Sequence, residues 1–195
     1  MGRKPDPKRK AELLESVGRY LVDNGLAGLS LRPLAEHLGV STYTLVYHFG
    51  SKENLVFETV RHLDAKQWSM IAEWTEQGLD LAGTLERFWD WFVEPQNRGI
   101  VGLFHEATLV RLGADESGTT YAAELVVGWD RLVRRALAES GLDEAESATE
   151  AAIVCATMTG LQIDLIVTGD IERTTAAVRA YTARLRDRLS GVGAG

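Results

Sequence analysis

Apolar side chains recur every three or four residues along most of the chain, which is the spacing of one face of an α-helix. The first such stripe consists of Leu13, Leu14, Val17 and Leu21. It predicts a helix from about residue 8 to Asn24, ended by Gly25. Apolar and polar residues nowhere alternate convincingly in the two-residue period of a strand. The pattern therefore predicts an all-α fold.

Three serines each precede a helical pattern in the following segment, and serine is a favoured residue at the start of a helix. Ser30 precedes a short second helix that Gly39 closes. Ser41 precedes a third helix over 42–48, and Ser51 precedes a fourth. Three helices and the start of a fourth are thus expected within about sixty residues.

Beyond residue 61 the predicted helices are longer, and glycines or Pro95 separate them. Their ranges are 51–77, 80–94, 99–112, 117–140, 144–168 and 171–189. We expect an N-terminal domain over 1–50, with an arm over 1–7, and a larger helical domain over 51–190. The small and glycine-rich residues 191–195 are expected to form a disordered tail.

Composition indicates an ordinary globular protein, with 45% hydrophobic and 25% charged residues. The single Cys155 forms no internal disulfide, and the charged N-terminus lacks the apolar run of a secretory signal. The charge-free stretch 151–163 is too short to cross about 30 Å of hydrocarbon. These features predict a cytoplasmic protein without a membrane partner.

The charge is distributed unevenly. The net charge is −7, yet the first ten residues carry five basic side chains and one acidic side chain. A basic segment on an acidic protein is typical of a local contact with a polyanion, while the acidic remainder keeps the body away from it.

The most informative segment is residues 28–55, GLSLRPLAEHLGVSTYTLVYHFGSKENL. Two short helices joined at Gly39, with the small Ala35 where they cross, are the pattern of a helix-turn-helix. The first helix of the chain completes a three-helix core. The second short helix carries polar or aromatic tips at Thr42, Tyr43, Thr44, Tyr47 and His48. Such a helix fits the major groove of DNA, which is about 12 Å wide.

Residues 8–60 resemble the TetR family of transcriptional regulators. The resemblance rests on GLSLRPLAEHLGVS, TLVYHF and SKENL at this spacing, ahead of an all-helical body. It implies a homodimeric repressor whose partner is double-stranded operator DNA, with recognition helices in major grooves roughly 34–36 Å apart. It also implies a small-molecule effector that binds in the body and releases the DNA.

The resemblance implies DNA contacts from both helices and from the N-terminal arm. Arg32 is suited to guanine, and Lys52 lies at a helix N-terminus that favours phosphate. The full predicted set is Arg3, Lys4, Ser30, Arg32, Ser41, Thr42, Tyr43, Thr44, Tyr47, His48 and Lys52. The chain departs from the family at Tyr43, where a small residue is usual, and at Val46, where tyrosine is usual. The first departure is expected to alter base preference, and the second removes a phosphate contact.

All five tryptophans lie after residue 61, together with several other large rings. This exceeds what a tightly packed helical body needs, and it predicts an apolar cavity for a small molecule with a few polar groups. The predicted lining is Trp68, Phe88, Trp89, Phe92, Phe104, His105, Thr108, Trp129, Met158 and Gln162. The alternative is that each ring belongs to an ordinary core.

Helix 144–168 is apolar on nearly all sides in its middle, so two surfaces must cover it. Small residues recur every four positions and are expected to face a partner helix, whereas Ile153, Met158, Leu161 and Leu165 are expected to face their own subunit. With the last helix, this predicts a four-helix bundle across a twofold axis. The predicted interface is Ala152, Ala156, Gly160, Val178, Tyr181 and Leu185.

The motifs disfavour an enzyme. His105-Glu106 lacks a second histidine four residues on, and neither a Glu-x-x-His pair nor a glycine-rich phosphate loop occurs. Cys155 lies among apolar residues without a nearby base, which is typical of an inert thiol. No catalytic residue, cofactor or metal is therefore expected. The alternative to a DNA-binding regulator is a helical ligand-binding or dimerisation protein without DNA contact.

Overall fold

The structure, a computed structural model, describes residues 6–110 and 121–192. Within these ranges all regular secondary structure is helical, which confirms the all-α prediction. The helices are α1 (Pro7–Asn24), α2 (Leu31–His37), α3 (Thr42–Phe49), α4 (Lys52–Glu76), α5 (Leu81–Phe92), α6 (Pro95–Leu109), α7 (Tyr121–Glu139), α8 (Glu144–Thr168) and α9 (Ile171–Val192).

The chain separates into two compact units. Unit 1 contains Met1–Gln67 and Gly102–Ala123, and unit 2 contains Trp68–Val101 and Glu124–Gly195. Helices α4, α6 and α7 each contribute residues to both units. The predicted domain boundary at residue 50 stays a prediction, since α4 begins two residues after it and contributes to unit 1 as far as Gln67.

Among the helix ends that differ from their predicted positions, two correct a stated boundary. Pro95, predicted as a break, is instead the first residue of α6. Proline is accepted there because the first N–H of a helix has no intrahelical acceptor. Helix α9 continues to Val192, which corrects the predicted start of the tail at residue 191. The predicted helical residues 111–112 and 117–120, and tail residues 193–195, lie outside the described ranges.

In unit 1 the first helix packs on the start of the fourth. Leu13, Val17 and Leu21 of α1 are buried, as are Leu55, Val56 and Val60 of α4. Glu15 of α1 accepts a hydrogen bond from His62 Nε2 at 2.7 Å and pairs with Lys66. These hydrogen bonds, first from Lys66 and then from His62, lower the pKa of Glu15. Apolar packing and this ion pair together fix α1 against α4.

The core of unit 2 contains one face each of α5, α8 and α9, together with buried residues of α4 and α7. Trp89 and Phe92 of α5 are fully buried and meet edge to face, with ring centroids 5.2 Å apart. Trp89 Nε1 donates to Thr175 Oγ1 at 2.9 Å, so the indole N–H has a partner inside the core. Val154 and Met158 of α8 complete this layer.

A row of charged groups runs beside this core between α5 and α9. Glu86 of α5 accepts a hydrogen bond from Thr182 Oγ1 at 2.5 Å. The same carboxylate lies 3.5 Å from a guanidinium nitrogen of Arg179 and 3.6 Å from one of Arg186. Arg179 also pairs with Asp90. These pairs join the polar flank of α9 to α5 within one chain.

Helix α8 presents one apolar face to the core and another to solvent. Val154, Met158 and Leu165 are buried, while Ile163 is 46% and Val167 77% exposed. Among the described helices, α8 is long and apolar enough to cross a membrane by length and composition alone. A helix of a globular protein that packs against other surfaces on two sides has the same length and apolar composition. The exposed face of α8 is therefore an apolar surface of the kind that another molecule covers.

Cys155 lies at the margin of the buried face of α8 and is half-buried. Burial raises the pKa of its thiol to about 11, with a smaller contribution from the charge of Asp130. The thiol is therefore protonated at neutral pH, in agreement with the interpretation of Cys155 as an unreactive side chain.

Candidate nucleic-acid interface

Helices α2 and α3 pack against each other around a short turn. Leu34 and Ala35 of α2 and Leu45 and Phe49 of α3 are all buried. Gly39 adopts a positive φ of 64° in the turn, a conformation that residues with a Cβ rarely adopt. The structure thus contains the two-helix arrangement predicted from the sequence.

The outward face of α3 is aromatic. Tyr43 is 75% exposed and Tyr47 is 41% exposed, and their rings stack with centroids 6.2 Å apart. Val46, at 44% exposed, lies on the same helix. Because Leu45 and Phe49 anchor the other face, α3 is held with these rings in solvent. Tyr47 is thus not a core residue.

The hydroxyl groups at the N-terminus of α3 form a local network. Ser41 Oγ accepts from the Thr44 backbone N–H at 3.1 Å and lies 2.9 Å from Thr44 Oγ1. Thr42 is exposed beside them. Ser30 occupies the corresponding position before α2, but its side chain makes no capping hydrogen bond with a described residue. Both serines thus occupy the N-cap positions at which they were predicted, but only Ser41 caps its helix through its side chain, and the predicted phosphate contact of Ser30 stays a prediction.

Two of the four lysine and arginine side chains predicted to contact DNA lie in the described residues, and both are exposed at helix N-termini. Arg32 Nε lies 3.1 Å from Glu36 Oε1, in an ion pair along α2 that is itself open to solvent. Lys52 is the first residue of α4, and its Nζ lies 3.5 Å from the backbone oxygen of Leu29. Ser51 caps that helix by accepting from Asn54 N–H at 3.0 Å, as predicted.

His48 lies between the exposed and buried faces of α3. Its ring meets Tyr47 edge to face with centroids 5.3 Å apart. Its Nδ1 is buried and has no hydrogen-bond partner among residues 6–110 and 121–192. The predicted arm residues Arg3 and Lys4 lie outside the described residues. Of the eleven residues predicted to contact DNA, the nine that the structure describes therefore lie in unit 1 between Ser30 and Lys52.

The residues predicted to line a ligand cavity divide between the two units. In unit 2, the ring of Trp129 lies 5.3 Å from that of Trp68 and 4.9 Å from that of Phe88. Trp68 approaches α7 at Gly128, where an added Cβ would lie 2.8 Å from Trp68 Cζ2. Glycine at this position is what admits the indole. Trp89, Phe92, Met158 and Gln162 belong to the same unit and are buried.

The other three predicted cavity residues belong to unit 1. Phe104 is buried, and His105 and Thr108 are partly exposed. Thr108 Oγ1 donates to the Phe104 backbone oxygen at 2.9 Å, one helical turn back. Its hydroxyl proton is therefore used within α6, and only its lone pairs remain for another group.

The predicted dimer residues divide by exposure. Ala152, Ala156 and Gly160 are exposed, as the prediction requires. Val178 and Leu185 are 0% and 3% exposed and pack in the core of unit 2, which corrects their assignment to an interface. Tyr181 packs against the same core, and burial raises the pKa of its hydroxyl to about 12.

A further correction concerns Ile153, predicted to face its own subunit, which is 47% exposed. It is one residue from Ala152, and a helix turns about 100° per residue, so both share the broad outer face of α8. Helix α9 also carries exposed small residues that were not predicted, which are Ala176, Ala180 and Ala183. Their spacing of three and four was the available signal.

Side chains that could hold a metal do not cluster in the described ranges: no group of three or more His, Cys, Asp and Glu residues is placed to bind one ion. Nothing in the site geometry therefore calls for a metal.

Residues 19–59 match the sequence model described as bacterial regulatory proteins, tetR family. The chain is 32% identical over 78 residues to the HTH-type transcriptional repressor KstR2 of Rhodococcus jostii, covering 40% of this chain and 38% of that protein. It is 35% identical over 72 residues to the HTH-type transcriptional repressor AcnR of Corynebacterium glutamicum, covering 37% and 38%. These matches span less than two fifths of the relatives' length.

Solved structures extend the similarity of fold to nearly the whole chain. A TetR transcriptional regulator from Legionella pneumophila superposes with a TM-score of 0.73 over 95% of this chain and 99% of that one, at 19% identity. A transcriptional regulator from Rhodococcus sp. Rha1 superposes with a TM-score of 0.71 over 90% and 94%, at 20% identity. The relatives are named as regulators and not as enzymes. The helix-turn-helix segment over residues 19–59 thus matches the tetR family of bacterial regulatory proteins, and nearly the whole chain shares the fold of the solved regulators.

Proposed function

We propose that the protein is a homodimeric transcriptional repressor that binds operator DNA through α3. The observation that carries the proposal is the outward face of α3, where Tyr43, Val46 and Tyr47 are exposed on a helix anchored by buried residues. Large apolar and aromatic side chains left in solvent on a short helix suit a surface that another molecule covers. The exposed basic groups Arg32 and Lys52 add the charge that a phosphate backbone attracts.

The proposed contacts divide between positioning and reading. Lys52 at the N-terminus of α4 suits a phosphate, because helix N-termini attract anions. The exposed hydroxyls and rings of α3 suit base edges and thymine methyl groups in the major groove. Arg32 releases Glu36 to contact a guanine, which is inexpensive because an exposed i,i+4 pair contributes only about 0.3–0.5 kcal/mol.

Gel shifts with DNA flanking the protein's own gene, at several salt concentrations, test the proposal. Lys52→Ala is expected to weaken binding to all sequences about threefold to tenfold and to reduce the salt slope by about one. Arg32→Ala and Thr44→Ala are expected to change which duplex is preferred. Equal losses on every duplex for all three variants would contradict this division, and salt-independent binding would contradict the proposal itself.

A partner copy is proposed to cover the outer face of α8. That face combines small residues at Ala152, Ala156 and Gly160 with exposed isoleucines, and α9 adds a row of exposed alanines. Small side chains let two helices approach closely, and the flanking isoleucines supply apolar area. Two helices from each copy then form a four-helix bundle across a twofold axis.

A small apolar or amphipathic effector is proposed to bind in the helical body. Support comes from the partly exposed Trp68 and Trp129, which present aromatic surface beside the buried Phe88. Gln162 is a buried polar side chain of the same unit. Aromatic walls with a few polar groups are typical of small-molecule sites.

Tryptophan emission reports on this proposal, because two indoles lie in the aromatic cluster. An effector is expected to quench or shift the emission of the wild-type protein, and Trp129→Phe is expected to reduce that change by about half while preserving the fold. Trp74→Phe removes an indole that stacks with Arg87 and serves as the matched control. If no compound in a broad apolar and amphipathic panel alters the emission, the effector proposal fails.

A further inference from the structure

The loop between α1 and α2 is held by a side chain from a distant part of the sequence. Glu106 of α6 accepts the Leu26 N–H through Oε2 at 2.8 Å and the Ala27 N–H through Oε1 at 2.9 Å. All three residues belong to unit 1. Each carboxylate oxygen takes one amide, and charge-assisted hydrogen bonds of this kind are shorter and stronger than neutral ones. Glu106 therefore fixes both the position and the orientation of the loop.

Gly25 leaves the room that this carboxylate occupies. It ends α1 with a φ of 72°, and its N–H donates to the Leu21 backbone oxygen at 2.8 Å. A Cβ at this position would lie 3.1 Å from Glu106 Oε2. The glycine thus permits both the sharp exit from α1 and the close approach of the carboxylate.

The loop leads directly into the helix-turn-helix. Leu29 N–H donates back to the Leu26 oxygen at 3.2 Å, and α2 begins at Leu31. Helix α2 packs on α3, which carries the exposed Tyr43 and Tyr47. Glu106 therefore binds the backbone of the α1–α2 loop, and this loop helps to determine the position of α2, and with it α3, in unit 1.

We propose that Glu106 is a positioning residue for operator binding, acting through the α1–α2 loop without touching DNA. The inference rests on the proposed function. Reading base edges requires several side chains to reach their partners together, and a tolerance of about 0.5 Å is typical of such constellations. Phosphate contacts are less demanding, since they follow charge more than geometry. Loss of the two hydrogen bonds to Glu106 should therefore lower the affinity for the specific DNA sequence and leave the affinity for unrelated DNA unchanged.

Glu106→Gln tests this with little change in volume, because it replaces one acceptor oxygen by an NH₂ group facing a backbone N–H. The probes are a duplex selected from a random pool by the wild-type protein and an unrelated duplex of equal length. We expect about tenfold weaker binding to the selected duplex, equivalent to about 1.4 kcal/mol, and unchanged binding to the unrelated one. Glu73→Gln, exposed on α4 with the same charge change, is the control and is expected to match wild type.

Equal affinity of Glu106→Gln and wild type for the selected duplex overturns the inference, and so does an equal loss on both duplexes. Amide hydrogen exchange gives a readout that needs no DNA: exchange at Leu26 and Ala27 should accelerate about tenfold or more in Glu106→Gln. Unchanged exchange at these two amides overturns the inference, whether or not the wild-type protein selects a duplex. A wild-type protein that selects no duplex refutes the proposed function separately. If Glu106→Gln fails to fold, Glu106→Asp, with its oxygens one methylene further from the loop, is measured with the same expectations.

Discussion

Replacing Ala156 by arginine is expected to convert the proposed dimer into monomers and to weaken binding to a duplex with two half-sites by about a hundredfold or more. Ala156 lies in the middle of the exposed apolar face of α8, where a partner helix would approach closely. A guanidinium there would be buried without a counter-charge, at a cost of several kcal/mol. Two joined reading heads also bind far more tightly than either alone, and that advantage is lost on dissociation.

Light scattering measures the mass, and fluorescence anisotropy measures the DNA affinity. Ala138→Arg, which makes the same change at an exposed position of α7, is the control and should remain dimeric. A dimeric Ala156→Arg variant would contradict the assignment of this face. A wild-type protein that is monomeric at micromolar concentration would refute the dimer altogether.

Replacing Phe92 by alanine is expected to lower the free energy of unfolding by about 3–5 kcal/mol, because the ring is fully buried against Trp89 and its removal leaves a cavity. Denaturant unfolding followed by circular dichroism measures the change. Tyr43→Ala also removes an aromatic ring, but from a side chain that is 75% exposed, and should change stability by less than about 0.5 kcal/mol. A loss below about 1 kcal/mol for Phe92→Ala would show that this side chain lines a space that collapses or fills readily.

Most of the helices were predictable because their apolar residues keep a helical period and their ends carry local signals. Asp143 caps α8 in a reciprocal arrangement with Glu146, and α8 has the predicted range. The start of α6 was predicted wrongly at Pro95. Proline disrupts the interior of a helix but is accepted in its first turn, and the sequence alone does not distinguish these two positions. The helix-turn-helix was predictable because its turn and its packing residues are contiguous.

The proposed interface residues on α9 were harder to predict, because an apolar stripe indicates that a face is covered but not which surface covers it. Val178 and Leu185 form such a stripe, and the structure shows that the chain's own core covers it. The face left for a partner carries alanines instead, so its hydrophobic signal is weak. The distinction depends on tertiary packing, which the one-dimensional pattern does not contain.

Glu106 illustrates the part of the site that sequence reasoning could not reach. Its amide partners are 80 and 79 residues away, and backbone N–H groups leave no trace in side-chain composition. In the sequence, Glu106 stands out only beside His105, and the second histidine of a zinc-protease motif is absent. The proposed role depends on the fold, which places the Glu106 carboxylate against two backbone N–H groups of the α1–α2 loop.

The half-buried thiol of α8 has a practical consequence for studying this regulator. Cys155 is the single cysteine of the chain, and because burial raises the pKa of its thiol to about 11, the thiolate is a small minority at pH 7.5. Thiol-specific reagents react with the thiolate, so Cys155 of the native protein reacts with them very slowly at that pH. A cysteine introduced on the solvent side of α3 can therefore be tagged with a spin label selectively, and in the proposed dimer the separation of two such labels reports the distance between the two α3 helices.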